Sequence, residues 1–144
     1  NYDNCYYNRA DHVFFACFHN VCDQNCDFVG IANLSPNVNT RGCCYTYKEG
    51  IVLRSTYHVF DLYVNYLGDV ILDAWSEGMK SMEARNSASG QTETTELIDV
   101  LATEFSDREG AALAIVNKHP GEAQEAPLDL GAGGGGRGTG MGWG

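Results

Sequence analysis

Between Gly50 and Trp75 the chain carries one amphipathic helix with both of its ends marked, and this segment constrains the fold more than any other. Ser55 or Thr56 can accept a hydrogen bond from an orphan amide of the first turn, and Gly68 can adopt the left-handed conformation that ends a helix. Between them Val59, Phe60, Tyr63, Val64 and Leu67 recur at helical spacing as one apolar stripe, while Asp61 and Asn65 point elsewhere. The spacing predicts a helix over 56–67 that must pack against something.

Upstream, Val13, Phe14, Cys17, Phe18, Val21 and Cys22 recur with the same period and predict a second helix over 9–25, with Asp11 suited to the positive end of its dipole. Residues 1–8 read as a loop. The segment Phe28-Val-Gly-Ile-Ala-Asn-Leu34 is short, apolar and rich in β-formers, as expected of a strand buried on both faces. Helix, strand and helix make an α/β alternation. From Ser35 to Thr56 a long connection is expected, and loops of that length in compact folds usually serve a purpose.

After Gly68 the pattern changes. Asp69 to Trp75, Met79 to Arg85, Glu96 to Phe105, Ala111 to Asn117 and Glu122 to Leu130 are short β-like runs separated by turn signals, which predicts an antiparallel sheet or sandwich. Three segments result: 1–74, α/β; 75–130, all-β; and 131–144, a Gly-rich low-complexity tail expected to be flexible, with order failing near Leu130.

A chain of 144 residues can bury one ordinary core or two small ones. It is too short for a complete (β/α)8 barrel of about 250 residues. A net charge of −10 repels nucleic acid and anionic membranes, so neither is an expected partner. No apolar run approaches the roughly 20 residues of a membrane helix. The chain starts at Asn1 without the pattern of a signal peptide, so either a processed protein or an excerpt of a longer one is expected. All six cysteines lie within the first 44 residues, unlike an oxidised scaffold spread over its core; reduced thiols and a cytoplasmic setting are expected, with secretion as the alternative.

Some motifs suggest chemistry without carrying it. His19, Cys22 and Cys26 offer metal-ligand atoms on adjacent turns but lack the paired knuckle and fourth ligand of structural zinc, so no metal and no cofactor is expected. The adjacent Cys43 and Cys44 read as two loop thiols, because a bridge between them would close a strained ring. Asn33-Leu34-Ser35 matches a glycosylation acceptor but falls at an expected strand end. Trp75 is expected to fill the interface between the two domains.

Taken in order, Ala10 to Phe18, Cys26 to Gly42, Gly50 to Trp75 and Ala112 to Pro120 resemble the carboxyl-terminal part of glycoside hydrolase family 51, whose members are α-L-arabinofuranosidases. The likeness is strongest over Ile51 to Trp75 and Val116-Asn-Lys-His-Pro120. It implies that 9–25 is the seventh barrel helix, 28–34 the eighth strand and 56–67 the eighth helix, followed by a β-sandwich. It also implies arabinose-containing oligosaccharides or polysaccharides as substrate.

Retaining glycosidases need one carboxyl group as acid and base and a second as nucleophile. The family's acid/base Glu lies in an Asn-Glu-Pro motif, which does not occur here, and the matching segment begins after the family's nucleophile. Glu104-Phe105 falls in a β-run and cannot be carried over, so no catalytic residue is expected in this chain. The turn Asn33-Leu-Ser-Pro-Asn37 would face the sugar, which makes Asn33 and Asn37 the candidate substrate contacts; equally, both could serve only their own turn. Many family members carry Gln where Pro36 stands. Two other readings stay open: a non-catalytic β-sandwich for carbohydrate binding or subunit contact, and a truncated product without a function of its own. Bare apolar helix surface predicts self-association into oligomers.

Overall fold

The computed structural model describes residues 8–86 and 88–129. The expected loop at 1–7, Cys5, the onset of disorder near Leu130, the tail at 131–144 and Trp143 lie outside the described residues. The elements run α1 (Arg9–Gln24), β1 (Cys44–Tyr47), β2 (Gly50–Leu53), α2 (Ser55–Tyr66), β3 (Val70–Leu72), β4 (Ser81–Arg85), β5 (Thr92–Glu96), β6 (Ile98–Glu104) and β7 (Ala111–Asn117).

Helix α1 starts at a capping box. The side chain of Asn8 accepts from the amide of Ala10 at 2.7 Å, and Asp11 accepts from the amide of Asn8 at 2.7 Å. At the other end the Asn25 side chain donates to the carbonyl of Val21. Arg9 donates to the carbonyl of Pro120 and Gln24 to that of Val100, so both ends of α1 are tied to the second half of the chain.

Every strand pair is antiparallel: β1 with β2, β4 with β5, and β6 between β3 and β7. In the three-stranded sheet Asp99, Leu101 and Thr103 stand opposite Val116, Ala114 and Ala112, and this face meets the helices. The core gathers there: Phe15, Ala16 and Val59 are buried, with Leu34, Phe60, Tyr63 and Val116 packed around them. The second half therefore forms antiparallel sheets, as expected of it, consistent with a β-sandwich domain.

Several expectations change. Residues 29–34 form no strand and pair with none among the described residues, and Phe28 and Ile31 are 89% and 79% exposed. A strand covered on both faces needs neighbours on both edges, and the described chain supplies none. The connection from Ser35 is not all loop, because it folds into the β1–β2 hairpin. Strand β5 escapes a reading based on apolar runs, since Thr92–Glu96 consists of Thr and Glu. No strand forms over 122–129.

The buried face of α1 is also rotated from the predicted stripe. Phe15, Ala16 and Asn20 are buried, whereas Phe14, Phe18 and Val21 are exposed. Its apolar residues cover two sides of the helix, and the sheet takes only one of them.

Helix α2 spans nearly the predicted residues but has different ends. Arg54 is the N-cap, without a side-chain capping bond, and Ser55 and Thr56 have hydroxyls with no partner among the described residues. Gly68 is not left-handed: its N–H donates to Thr103 Oγ1 at 2.7 Å, and a Cβ there would lie 2.1 Å from the carbonyl oxygen of Glu104. Glycine is needed because two backbones touch. Trp75 is 72% exposed, its indole donating to Glu77 rather than filling an interface.

Gly68→Ala forces β6 away from the start of β3 and is expected to cost about 1–3 kcal/mol, the usual range for overpacking. A urea midpoint lowered at unchanged slope is the expected measurement.

Candidate functional site

Two places draw polar side chains together. One is the turn that contains the predicted contacts, Asn33 and Asn37, which are both exposed. The carbonyl of Asn37 accepts from the amide of Cys44 at 3.2 Å and faces the Cys43 thiol at 3.8 Å, while Val38 forms a bridge with Cys44. Asn39 Oδ1 accepts from the amide and hydroxyl of Thr46. Gly42 packs so tightly against Asn37 that a Cβ would lie 2.3 Å from its carbonyl carbon. The hairpin is thus a backboard for the turn, and it leaves the side of Asn37 open to solvent. Asn33 lies on the unpaired segment and is not brought to the hairpin by any contact described.

Arg54, which sequence reasoning passed over, holds this arrangement. Its Nη1 donates to the carbonyls of Thr40 and Gly42 at 2.7 and 2.8 Å, its backbone N–H donates to Cys43, and its guanidinium lies over the Tyr45 ring. An arginine one residue before a helix looks like an ordinary surface charge, so nothing in the pattern identified it.

The second place is the junction of α1, α2 and β6. Asn20 is wholly buried; its amide donates to Asp99 Oδ2 at 3.3 Å and its oxygen accepts from the Tyr63 hydroxyl, which also reaches the carbonyl of Ala16. Burial first, and the Asp99 charge second, push the Cys17 thiol up to about 12. Burial likewise raises the Tyr63 phenol. His19 sits among the rings of Phe15, Phe60 and Tyr63, at centroid distances of 4.6, 5.1 and 5.4 Å, and burial lowers its pKa against the opposing pull of Asp23.

Open clefts of about 550 and 610 Å³ lie on either side of Tyr63, the first beside β7 and the second beside β3. A thiol and a phenol held protonated are poor nucleophiles at neutral pH, and the neutral imidazole of His19 is enclosed by aromatic rings. The junction works as a polar joint between the helices and the sheet. Among the described residues no three His, Cys, Asp or Glu side chains are placed to hold a metal ion, and Cys17, Cys22, Cys26, Cys43 and Cys44 are free.

Carboxyl groups fare no better. Glu104 ends β6, exposed and opposite Val70. Next to Val70, Asp69 accepts two hydrogen bonds from Ser106, which hold its carboxyl below the usual range and remove it as a proton donor. The segment Asn117-Lys-His-Pro120 is structural: Asn117 and His119 accept amides of the turn that follows β7, and Lys118 reaches Thr95 at 3.1 Å.

Residues 3–134 match the family described as the alpha-L-arabinofuranosidase C-terminal domain. Among solved structures the chain is similar to an alpha-L-arabinofuranosidase from Thermotoga maritima in complex with arabinose, at 24% identity and a TM-score of 0.67 over 80% of this chain. It is also similar to the thermostable GH51 alpha-L-arabinofuranosidase from Thermotoga petrophila RKU-1, at 25% identity and a TM-score of 0.66 over 81%. In both cases it spans 25% of the length of the solved chain. A comparison with curated proteins returned no match.

Asn20→Leu strands the Asp99 carboxylate and the Tyr63 hydroxyl, and is expected to cost about 1–3 kcal/mol in denaturant unfolding. The His19 pKa is lowered in the fold while the unfolded chain keeps about 6.5, so between these values the unfolded state binds more protons. Stability is therefore present in full above pH 6.5 and declines as the pH falls below it. Asp23, raised by burial from 3.8, acts in the opposite sense, its contribution falling as the pH rises above 3.8. His19→Phe is expected to abolish the decline below 6.5, read from urea midpoints measured against pH.

Proposed function

Because the chain belongs to the alpha-L-arabinofuranosidase C-terminal domain family, we propose that it is the closing part of a retaining glycoside hydrolase that removes terminal α-L-arabinofuranosyl residues from arabinose-containing oligosaccharides and polysaccharides. The observation that carries this reading is the family match over residues 3–134. In it α1, the segment at 28–34 and α2 are the last helix, strand and helix of a (β/α)8 barrel, and β3 to β7 belong to the sandwich. Supporting the barrel assignment, Phe28 and Ile31 stand bare on a segment with no strand beside it, and Phe14, Phe18 and Val21 stand bare on the helix before it. A barrel supplies the missing neighbours of both.

The division of labour follows from the chemistry. Retention needs two carboxyl groups about 5 Å apart across the sugar. Asp69 lines the cleft beside β3 but is held as a hydrogen-bonded carboxylate, and Glu104 stands exposed at the end of β6. The acid/base and the nucleophile are therefore assigned to the remainder of the enzyme. This chain contributes the floor of the pocket, with Asn33 and Asn37 as sugar contacts. The five cysteines among the described residues are free thiols, which supports a cytoplasmic setting.

Two measurements test this reading. The chain alone is expected to show no turnover of an aryl α-L-arabinofuranoside, and activity lost on Glu104→Gln would overturn the assignment. Its bare apolar faces are expected to drive association, seen by light scattering as species heavier than the 15.7 kDa monomer, and a clean monomer at high concentration would count against a barrel remnant.

A further inference from the structure

We infer that Arg54 is the positioning residue of the sugar-facing turn: it holds the 37–44 loop in the conformation that presents Asn37. The inference rests on the proposed role of Asn37 as a sugar contact. Asn39 and Thr40 lie in this loop with φ of 60° and 36°; asparagine takes the left-handed region readily, but a β-branched threonine does so only when its surroundings hold it there. Asn39 Oδ1 accepts from the amide and hydroxyl of Thr46. The amide of Asn39 donates to Cys44, that of Gly42 to Asn39 and that of Cys44 to Asn37. The outward carbonyls of Thr40 and Gly42 converge on a single guanidinium nitrogen, Nη1 of Arg54.

Two carbonyl dipoles aimed at one point repel each other, and a cation at that point turns the repulsion into two charge-assisted hydrogen bonds. Arg54 is itself fixed from three sides: its N–H is bonded to Cys43, its plane lies 5.5 Å from the Tyr45 ring centre, and its carbonyl receives the amide of Tyr57 in the first turn of α2. The loop is thereby referenced to the start of α2 instead of floating on the hairpin. The Arg54 side chain meets the carbonyls of Thr40 and Gly42 and the Tyr45 ring, so its effect on Asn37 runs through the loop backbone.

The test has two arms. By hydrogen exchange, Arg54→Ala is expected to speed exchange of the Asn39, Gly42, Cys44 and Thr46 amides by about tenfold or more, with α1 and β6 unchanged, while Arg54→Lys restores most of the protection. Unchanged exchange in Arg54→Ala overturns the inference whatever the sugar does. In the complete enzyme that contains this segment, Arg54→Ala and Asn37→Ala are each expected to raise KM about tenfold with kcat within about twofold, the loss of one hydrogen bond to the sugar or of the loop geometry that presents it. The double variant should be no worse than the more impaired single one. Additive effects would place Arg54 in some other role and overturn the inference. If Asn37→Ala leaves KM unchanged, the sugar contact itself falls; faster exchange in Arg54→Ala would then show a purely structural clamp, which also overturns the positioning role.

Discussion

Everything in this molecule turns on the buried amide of Asn20. It is the point where α1, α2 and the three-stranded sheet are held together, through Tyr63 on one side and Asp99 on the other. Apolar contact alone would let two helices slide on a flat sheet at little cost. A polar group without water must keep its partners, and that requirement selects one register. The rotation of α1 follows: with Asn20 turned inward, Phe15 and Ala16 face the core, and Phe14, Phe18 and Val21 face outward. The neutral state of Cys17 and Tyr63 follows as well, since both sit in the same desolvated pocket.

Periodicity made both helices and most long strands readable. Residues 9–25 and 56–67 were expected as helices, and α1 and α2 fall there within a residue or so. Strands β6 and β7 follow their apolar runs. What escaped was structure specified by pairing, not by local pattern. Strand β5 is Thr and Glu throughout and is made by its ladder with β4. The β1–β2 hairpin hides behind turn residues. Residues 28–34 have strand composition but no partners among the described residues, so composition promised more than the chain can deliver. The helix ends show the same limit: Gly68 was read for its conformational freedom, whereas it is required by the approach of Glu104.

At the candidate site the legibility was of a different kind. Asn33 and Asn37 were singled out through a family resemblance, and the structure puts them on the surface, Asn37 against a hairpin that could not be foreseen. Arg54, Asp99 and Asn20 were invisible for physical reasons. Asn20 interrupts an apolar face by one residue, Asp99 is one carboxylate among 19 acidic residues, and Arg54 resembles a solvated charge. Partners 79 residues apart in sequence leave no local trace.

That separation carries a consequence for the birth of the protein. Synthesis proceeds at about 5–20 residues per second, so α1 leaves the ribosome several seconds before Asp99 and β7 exist. During that interval its inner face, with Phe15 and a still-hydrated Asn20, has no sheet to close on. Its outer phenylalanines meanwhile remain bare even afterwards. The inner face of the helix is therefore closed only once β7, the last strand among the described residues, has been made.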